Sequence, residues 1–202
     1  MFDEMGLRPI LTLLLASLVI MGTPGPSTIS ATAVGAAYGF RRSLGYVSGL
    51  IAGTVAVLLA VAAGVVAFLL SVPHGALVLT VVSAAYILYL AVKIAKAPPL
   101  APRDDQVVAP AFFGGLLLAI ANPKAYLAIA AVFAGVSLFQ DRRLDATVKI
   151  ALLTGMIVAI HMIWLLVGAA LSRFLQYPTI SRAVNISLAT LLIVATVFAV
   201  VG

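Results

Sequence analysis

The 202-residue chain has no cysteine, which excludes disulfides and thiolate metal sites. Charge is scarce as well. Only 9% of residues are charged, against roughly 25% in a soluble domain. Acidic residues are the scarcest part of that charge. Asp3, Glu4, Asp104, Asp105, Asp141 and Asp145 make up all six, and each falls in a terminus or a turn. No carboxylate is left inside an apolar segment to carry a proton or to hold a cationic substrate. There is no GxxxxGK(S/T) phosphate loop for nucleotide hydrolysis, and no HExxH or paired-carboxylate arrangement. The chain is therefore not expected to be an enzyme, nor to use a cofactor or a resident metal.

What it does contain is apolar: 64% of residues are hydrophobic, and the mean hydropathy is +1.24. A surface this poor in charge cannot face water, so the chain reads as an all-α integral membrane protein in the lipid bilayer. No polar stretch is long enough to fold a separate soluble domain, so residues 1–202 are one transmembrane unit. The net charge of +6 reports membrane orientation before it reports nucleic-acid binding. Asp3 and Glu4 spoil the cationic start of a secretory signal, so the first apolar segment is expected to be a retained span.

A span needs about 20 apolar residues, and six segments qualify. They run over Pro9–Gly39, Leu44–Leu70, Ala76–Ile94, Ala111–Leu138, Thr147–Leu171 and Ala183–Val201. Between them lie the basic turn Phe40–Ser43, the uncharged turn Val72–Gly75 and the proline-rich loop 96–110. The polar turn Gln140–Asp145 and the connection Ser172–Arg182 complete the set. Turns after the odd-numbered spans carry Arg41, Arg42, Lys93, Lys96, Arg103, Arg173 and Arg182. The other side carries Arg8, Arg142, Arg143 and Lys149. Positive charge favours the cytoplasm, so both termini are predicted outside.

Segments one and four are both interrupted. Met21-Gly22-Thr23-Pro24-Gly25-Pro26 breaks the first, because each proline removes a backbone N–H and crowds the preceding turn. Ala121-Asn122-Pro123-Lys124 breaks the fourth. Pro24 precedes Arg41-Arg42 by 17 residues, and Pro123 precedes Arg142-Arg143 by 19. Residues 1–95 and 111–202 thus read as two three-helix halves, and an odd number of spans inverts the second. Paired broken helices in inverted halves build a substrate site near the bilayer midplane.

The site candidates follow from these breaks. Pro24, Gly25 and Pro26 free backbone groups, and the helix restarting at Ser27 and Thr28 offers a positive end to an anion such as a carboxylate. A structural kink is the plainer alternative. Asn122 and Pro123 form the second break. Lys124 sits in apolar surroundings, where a charge costs at least about 2.5–3.5 kcal/mol. It binds a carboxylate, changes protonation during transport, or snorkels. His161, between Ile160 and Met162, is a proton-coupling candidate alongside Lys124, or else a satisfied core group. Gly45, Gly49 and Gly53, with Ser48 and Ala52, form a small-residue face for helix packing or a homo-oligomer contact. Tyr86, Tyr89 and Tyr126 line a pathway or simply pack. Arg41 and Arg42 are expected at the membrane interface.

Two motif sets carry a family resemblance. Pro24-Gly25-Pro26 is followed by Gly39-Phe40-Arg41-Arg42-Ser43-Leu44-Gly45 and by Gly49-Leu50-Ile51-Ala52-Gly53, and Ala121-Asn122-Pro123-Lys124-Ala125 forms an NPK element. In these, and in length and span number, the chain resembles the LysE/RhtB family of amino-acid exporters. The resemblance implies a bacterial inner-membrane efflux transporter working by proton antiport. Its substrates would be amino acids such as lysine, arginine, homoserine, threonine or leucine, or related metabolites. It places Pro24, Gly25, Pro26, Asn122, Pro123 and Lys124 at motif positions. Two departures stand out. Thr54 follows Gly53 where many members carry an acid, and residues 136–140 lack the proline often found there. Without a buried acid, a neutral amino acid suits the chain better than a strongly basic one. The alternatives are a channel or exporter for another small solute or a metal ion, and a non-transporting accessory membrane protein. Metal transport relies on His, Asp, Glu or Cys within the spans, and only His161 is available.

Overall fold

The structure is a computed structural model that describes residues 3–64, 81, 85, 87–92, 94–96, 110–171 and 178–201. The turn expected at 72–75, most of the third segment including Tyr86, the loop 97–109 and the connection 172–177 lie outside the described residues. All regular structure among the described residues is helical. The helices are α1 (Asp3–Gly22), α2 (Pro26–Ala62), α3 (Phe112–Ile120), α4 (Pro123–Gly135), α5 (Arg142–Leu171) and α6 (Pro178–Val201). Residues 87–92 are helical as well.

α2 is the axis of the fold. Every residue from Pro26 to Tyr38 is buried. That stretch is made largely of Ser, Thr, Ala and Gly, and small side chains let neighbouring backbones come close where lipid supplies no hydrophobic drive. The helix does not run straight. Gly39 has φ 75° and ψ 171°, a left-handed backbone region open to glycine at little cost. The basic turn expected at 40–43 is thus a one-residue kink, and Arg41 and Arg42 already stand exposed on the next helical stretch. Ser43 Oγ lies 2.6 Å from Gly39 O and 3.0 Å from Val34 O, hydrogen-bonding carbonyls at the kink. At about 1.5 Å per residue, the part before the kink is about 20 Å long, too short to cross a hydrocarbon core of about 30 Å alone.

Two glycine seams hold α2. In its first part, a side chain on Gly35 would come within 2.8 Å of Leu165 O on α5, and one on Gly168 would collide with Thr32 O. Thr32 Oγ1 donates across the same seam to Trp164 O at 3.1 Å. After the kink, Gly49 faces Phe112 O, Gly115 faces Tyr46 O, and Gly53 faces Leu116 O at 2.7 Å, so α3 lies directly on α2. Gly49 and Gly53 therefore belong to a packing face, but Gly45 does not. It is exposed with nothing within 4 Å of its side-chain position among the described residues. Helical spacing of four drifts around the axis, and Gly45 lies past the edge of the seam. Ser48 is exposed and bonds back to Gly45 O at 2.8 Å, and Ala52 is half-buried. Gly35, Gly115 and Gly168 do the matching work, and their isolated positions give no pattern to read.

The fourth segment divides as its proline demands: α3 and α4 meet at 62°. The chain then runs extended through Val136, and Asp141 Oδ1 caps the start of α5 by accepting from Leu144 N at 2.8 Å. α5 begins at Arg142 rather than Thr147. α6 begins at Pro178 rather than Ala183, because proline is pre-shaped for a helix's first position.

Lys149, counted by charge on the side of Arg142 and Arg143, turns inward. It is 4% exposed. It pairs with Asp145 Oδ2 at 2.7 Å, donates to Phe133 O at 3.0 Å and sits 5.2 Å from the Phe133 ring centre. Asp145 Oδ1 accepts from Leu138 N and Phe139 N at 2.6 and 3.1 Å. Burial alone would raise the Asp145 pKa. The Lys149 ammonium and the two amides outweigh it and hold the carboxyl below its usual value. This pair staples the end of α4 to the start of α5.

By length and composition, α2 and α5 can each cross a membrane, and the bent α3–α4 pair forms a third candidate among the described residues. The apolar parts of α1 (Leu7–Gly22) and α6 (Arg182–Val194) are shorter.

Candidate functional site

The two breaks meet. Lys124 reaches from the second to the first, where Nζ donates to Thr23 O and Thr23 Oγ1, both at 2.8 Å, and to Pro24 O at 3.0 Å. An ammonium has three donors, and all three are placed on the end of α1. Two further carbonyls of that end are also covered. Trp164 Nε1 donates to Gly22 O at 3.2 Å, and Thr23 Oγ1 donates to Ile20 O at 2.8 Å. A helix C-terminus exposes carbonyls and carries partial negative charge, which a lysine offsets.

Asn122 makes the second link. Its Oδ1 accepts from Lys124 N at 3.2 Å, capping α4, while Nδ2 donates to Ser27 Oγ at 2.9 Å. It is 4% exposed, so both bonds replace water it has lost. One residue thus caps one helix and ties it to the start of another.

Gly25 explains how the lysine passes. Its backbone is extended, at φ −162° and ψ 178°, which any residue adopts. Space is what requires glycine. A side chain there would lie 2.7 Å from Lys124 Cδ and 2.9 Å from Nζ. Thr28 Oγ1 accepts from Gly25 N at 2.9 Å and sits 3.1 Å from Gly25 O, and Ile29 N donates to that same oxygen at 2.8 Å. α2 therefore starts cleanly at Pro26, with no N–H lost where none was needed.

A cleft of about 430 Å³, counting its open mouth, lies where these ends converge. α1 and the first break contribute Met21, Thr23 and Gly25, and α2 contributes Ser27, Thr28 and Thr54. Asn122 and α4 contribute Lys124, Ala125, Ala128 and Ile129, and α5 contributes Ile157, Ile160 and His161. The Ser27 and Thr28 amides stand at the start of α2, where N–H groups have no intrahelical partner. His161 Nδ1 lies 2.8 Å from Ile157 O. Among the described residues, no acidic residue lines the cleft.

Every polar residue proposed from the two breaks comes to this cleft or its rim, and His161 joins them from α5. Thr54 joins too, with Oγ1 bonded to Leu50 O at 2.8 Å. The family resemblance marks Thr54 only as the residue standing where many members carry an acid, and its place at the cleft comes from packing. Tyr89, largely exposed, and Tyr126, beside the apolar cluster around Ile129, do not line the cleft.

Comparison with known proteins agrees with the motifs. The model of the LysE type translocator family matches residues 18–202. The chain is 33% identical over 185 residues to a cysteine/O-acetylserine efflux protein of Escherichia coli O139:H28, covering 90% of this chain and 92% of the relative. It is 32% identical, with the same coverage, to proteins of that description from Escherichia coli K12 and Shigella flexneri. No solved structure matches. These relatives are efflux transporters rather than enzymes. A match over this share of the chain leaves one conclusion: the protein is a transmembrane efflux transporter that belongs to the LysE type translocator family.

Proposed function

We propose that this protein is a proton-coupled exporter of small neutral amino acids in the inner membrane. In this reading it has six spans in two inverted three-helix halves, with both termini outside. The observation that carries the reading is the meeting of the two broken segments over one cleft, through Lys124 on Thr23 and Pro24 and through Asn122 on Ser27. Internal correspondence supports the inverted halves. The helical stretches 26–38 and 123–135 are both 13 residues long. Each opens with a non-helical cap and a proline, and the caps Gly25 and Asn122 lie 97 positions apart.

In this reading Pro24, Pro26 and Pro123 keep the breaks open. The substrate carboxylate meets the Ser27 and Thr28 amides and hydroxyls at the positive start of α2. Lys124 and Asn122 latch the two breaks, and the latch must release as access alternates. The substrate side chain lies along Met21, Ile129, Ile157 and Ile160. The cysteine and O-acetylserine named for the relatives set the size class. A basic side chain would meet Lys124 and find no carboxylate.

The test is flux. Liposomes containing the protein are loaded with labelled cysteine, serine, leucine or lysine, and release is followed under an imposed pH gradient. Gradient-driven release of the small neutral amino acids, with lysine slower, is expected. No gradient-dependent release of any of the four refutes the reading.

A further inference from the structure

Among the cleft's polar side chains, His161 stands apart. Lys124 has three acceptors, Asn122 is bonded on both its amide atoms, and the hydroxyls of Thr28 and Thr54 are engaged. His161 is 4% exposed, and its Nε2 has no hydrogen-bond partner among the described residues. The other nitrogen decides the tautomer. A carbonyl only accepts, so the contact with Ile157 O puts the proton on Nδ1. Neutral His161 therefore keeps a lone pair on Nε2, at the ring edge away from its own backbone contact. A buried polar group left unpaired costs about 1–3 kcal/mol, and such exceptions ask for a reason.

The surroundings limit what that reason can be. Ser27, Thr28 and Thr54 face the cleft from α2, Thr23 from the first break, and Lys124 from α4. Lys124 alone among these carries charge, and its ammonium is committed to Thr23 and Pro24. Among the described residues, no carboxylate lines the cleft that His161 faces. His161 lines the cleft, and its Nε2 is the one buried side-chain nitrogen or oxygen there with no partner among the described residues.

We propose that Nε2 of neutral His161 receives the α-ammonium of the exported amino acid, so that a proton and the substrate compete for one lone pair. This rests on the exporter reading above and names how its site exchanges one for the other. Protonated His161 has two donors and no acceptor, and it meets the substrate ammonium as a like charge. Loading thus sends the Nε2 proton to water, and unloading lets one return. One proton is traded for one zwitterion with no acidic residue involved. The substrate class follows: an amino acid with an N–H-bearing ammonium and no second cationic group.

Histidine ¹⁵N NMR of the whole chain in detergent tests this without altering the site. The chain has two histidines, His74 and His161, and His74→Gln assigns the signals. The probe is reduced L-cysteine, with its N,N,N-trimethyl derivative as the analogue that cannot donate. Competition requires that cysteine at a hundredfold excess over its Kd lower the His161 titration midpoint by about two pH units. The trimethyl derivative must leave it in place. Wild-type affinity for cysteine must also fall about tenfold per pH unit below the midpoint, and a folded His161→Gln must lose that dependence. Cysteine binding with an unmoved midpoint, or an equal shift with the trimethyl derivative, overturns the proposal and leaves the exporter reading standing. Failure of cysteine, serine and leucine all to bind overturns both.

Discussion

Gly25→Ala offers the sharpest check on the junction between the two breaks. The backbone at Gly25 suits alanine, at φ −162° and ψ 178°, so the substitution carries no conformational penalty. Its whole effect comes from one new methyl group. That methyl would sit 2.7 Å from Lys124 Cδ, 2.9 Å from Nζ and 3.3 Å from Cε, where ordinary contact begins near 3.5 Å. The lysine must retreat by roughly 0.7 Å, and bonds now at 2.8 to 3.0 Å pass beyond hydrogen-bonding range. Hydrogen bonds to charged groups contribute about 1.5–3 kcal/mol each when buried. Thr23 and Pro24 are exposed, so water replaces much of what is lost. The expected net cost is about 1–2 kcal/mol, or about 2–8 °C in the unfolding midpoint for a chain of this length. The decisive measurement is a double-mutant cycle by thermal unfolding in detergent. With Lys124→Ala already in place nothing remains to clash, and Gly25→Ala should cost close to nothing. The difference between the two backgrounds should recover most of the 1–2 kcal/mol. Equal costs in both would refute the argument that glycine is there to let the lysine pass.

Three further outcomes are expected. Lys124→Met should keep the protein folded, with a similar loss of about 1–2 kcal/mol because water reaches Thr23 and Pro24, while amino-acid flux falls to background. Full flux in a folded Lys124→Met would leave the lysine no part in transport. Gly49→Ala should cost more than about 2 kcal/mol, since its methyl meets the Phe112 backbone carbonyl and must push α3 away. Gly45→Ala, with nothing among the described residues within 4 Å of the new methyl, should instead stabilise by up to about 1 kcal/mol through helix propensity. Thermal midpoints of the two variants decide. Asp145→Asn should lower stability by about 3 kcal/mol, the low end for breaking a buried pair, because Lys149 stays buried. The Asp145 carboxyl titrates below its ordinary value. Its contribution is therefore fully present above about pH 4 and is lost as pH falls through the folded-state value. A wild-type and Asp145→Asn difference that persists unchanged once the carboxyl is fully protonated would contradict this.

Much of the protein could be read directly from its residues. Sixty-four per cent apolar composition with 9% charge leaves the membrane as the solvent. The breaks at Pro24-Gly25-Pro26 and Asn122-Pro123 were legible because a ring in place of an N–H disfavours a continuous helix, although α1 carries Pro9 inside it. Helix ends were less legible. Arg41-Arg42 reads as a loop by polarity, but the backbone needed a single glycine, Gly39, to change direction. Pro178 reads as part of the connection 172–182 and proves to start α6, since proline suits a helix's first position.

The chain by itself thus determined the solvent, the helical class, the two breaks and the lack of any acid inside an apolar segment, because each depends on local chemistry. Partnership was decided only by the tertiary structure. Lys124 and Thr23 are 101 residues apart, and Trp164 and Gly22 are 142 apart. Nothing in either neighbourhood says that they bond. The same holds for Gly45, which shares the spacing of Gly49 and Gly53 but not their contact, because spacing defines a face and only packing chooses how much of it is covered. The junction of the breaks, the glycine that admits the lysine and the unshared lone pair of His161 are properties of three-dimensional juxtaposition. Geometry, rather than residue type, turns two interrupted helices into one site.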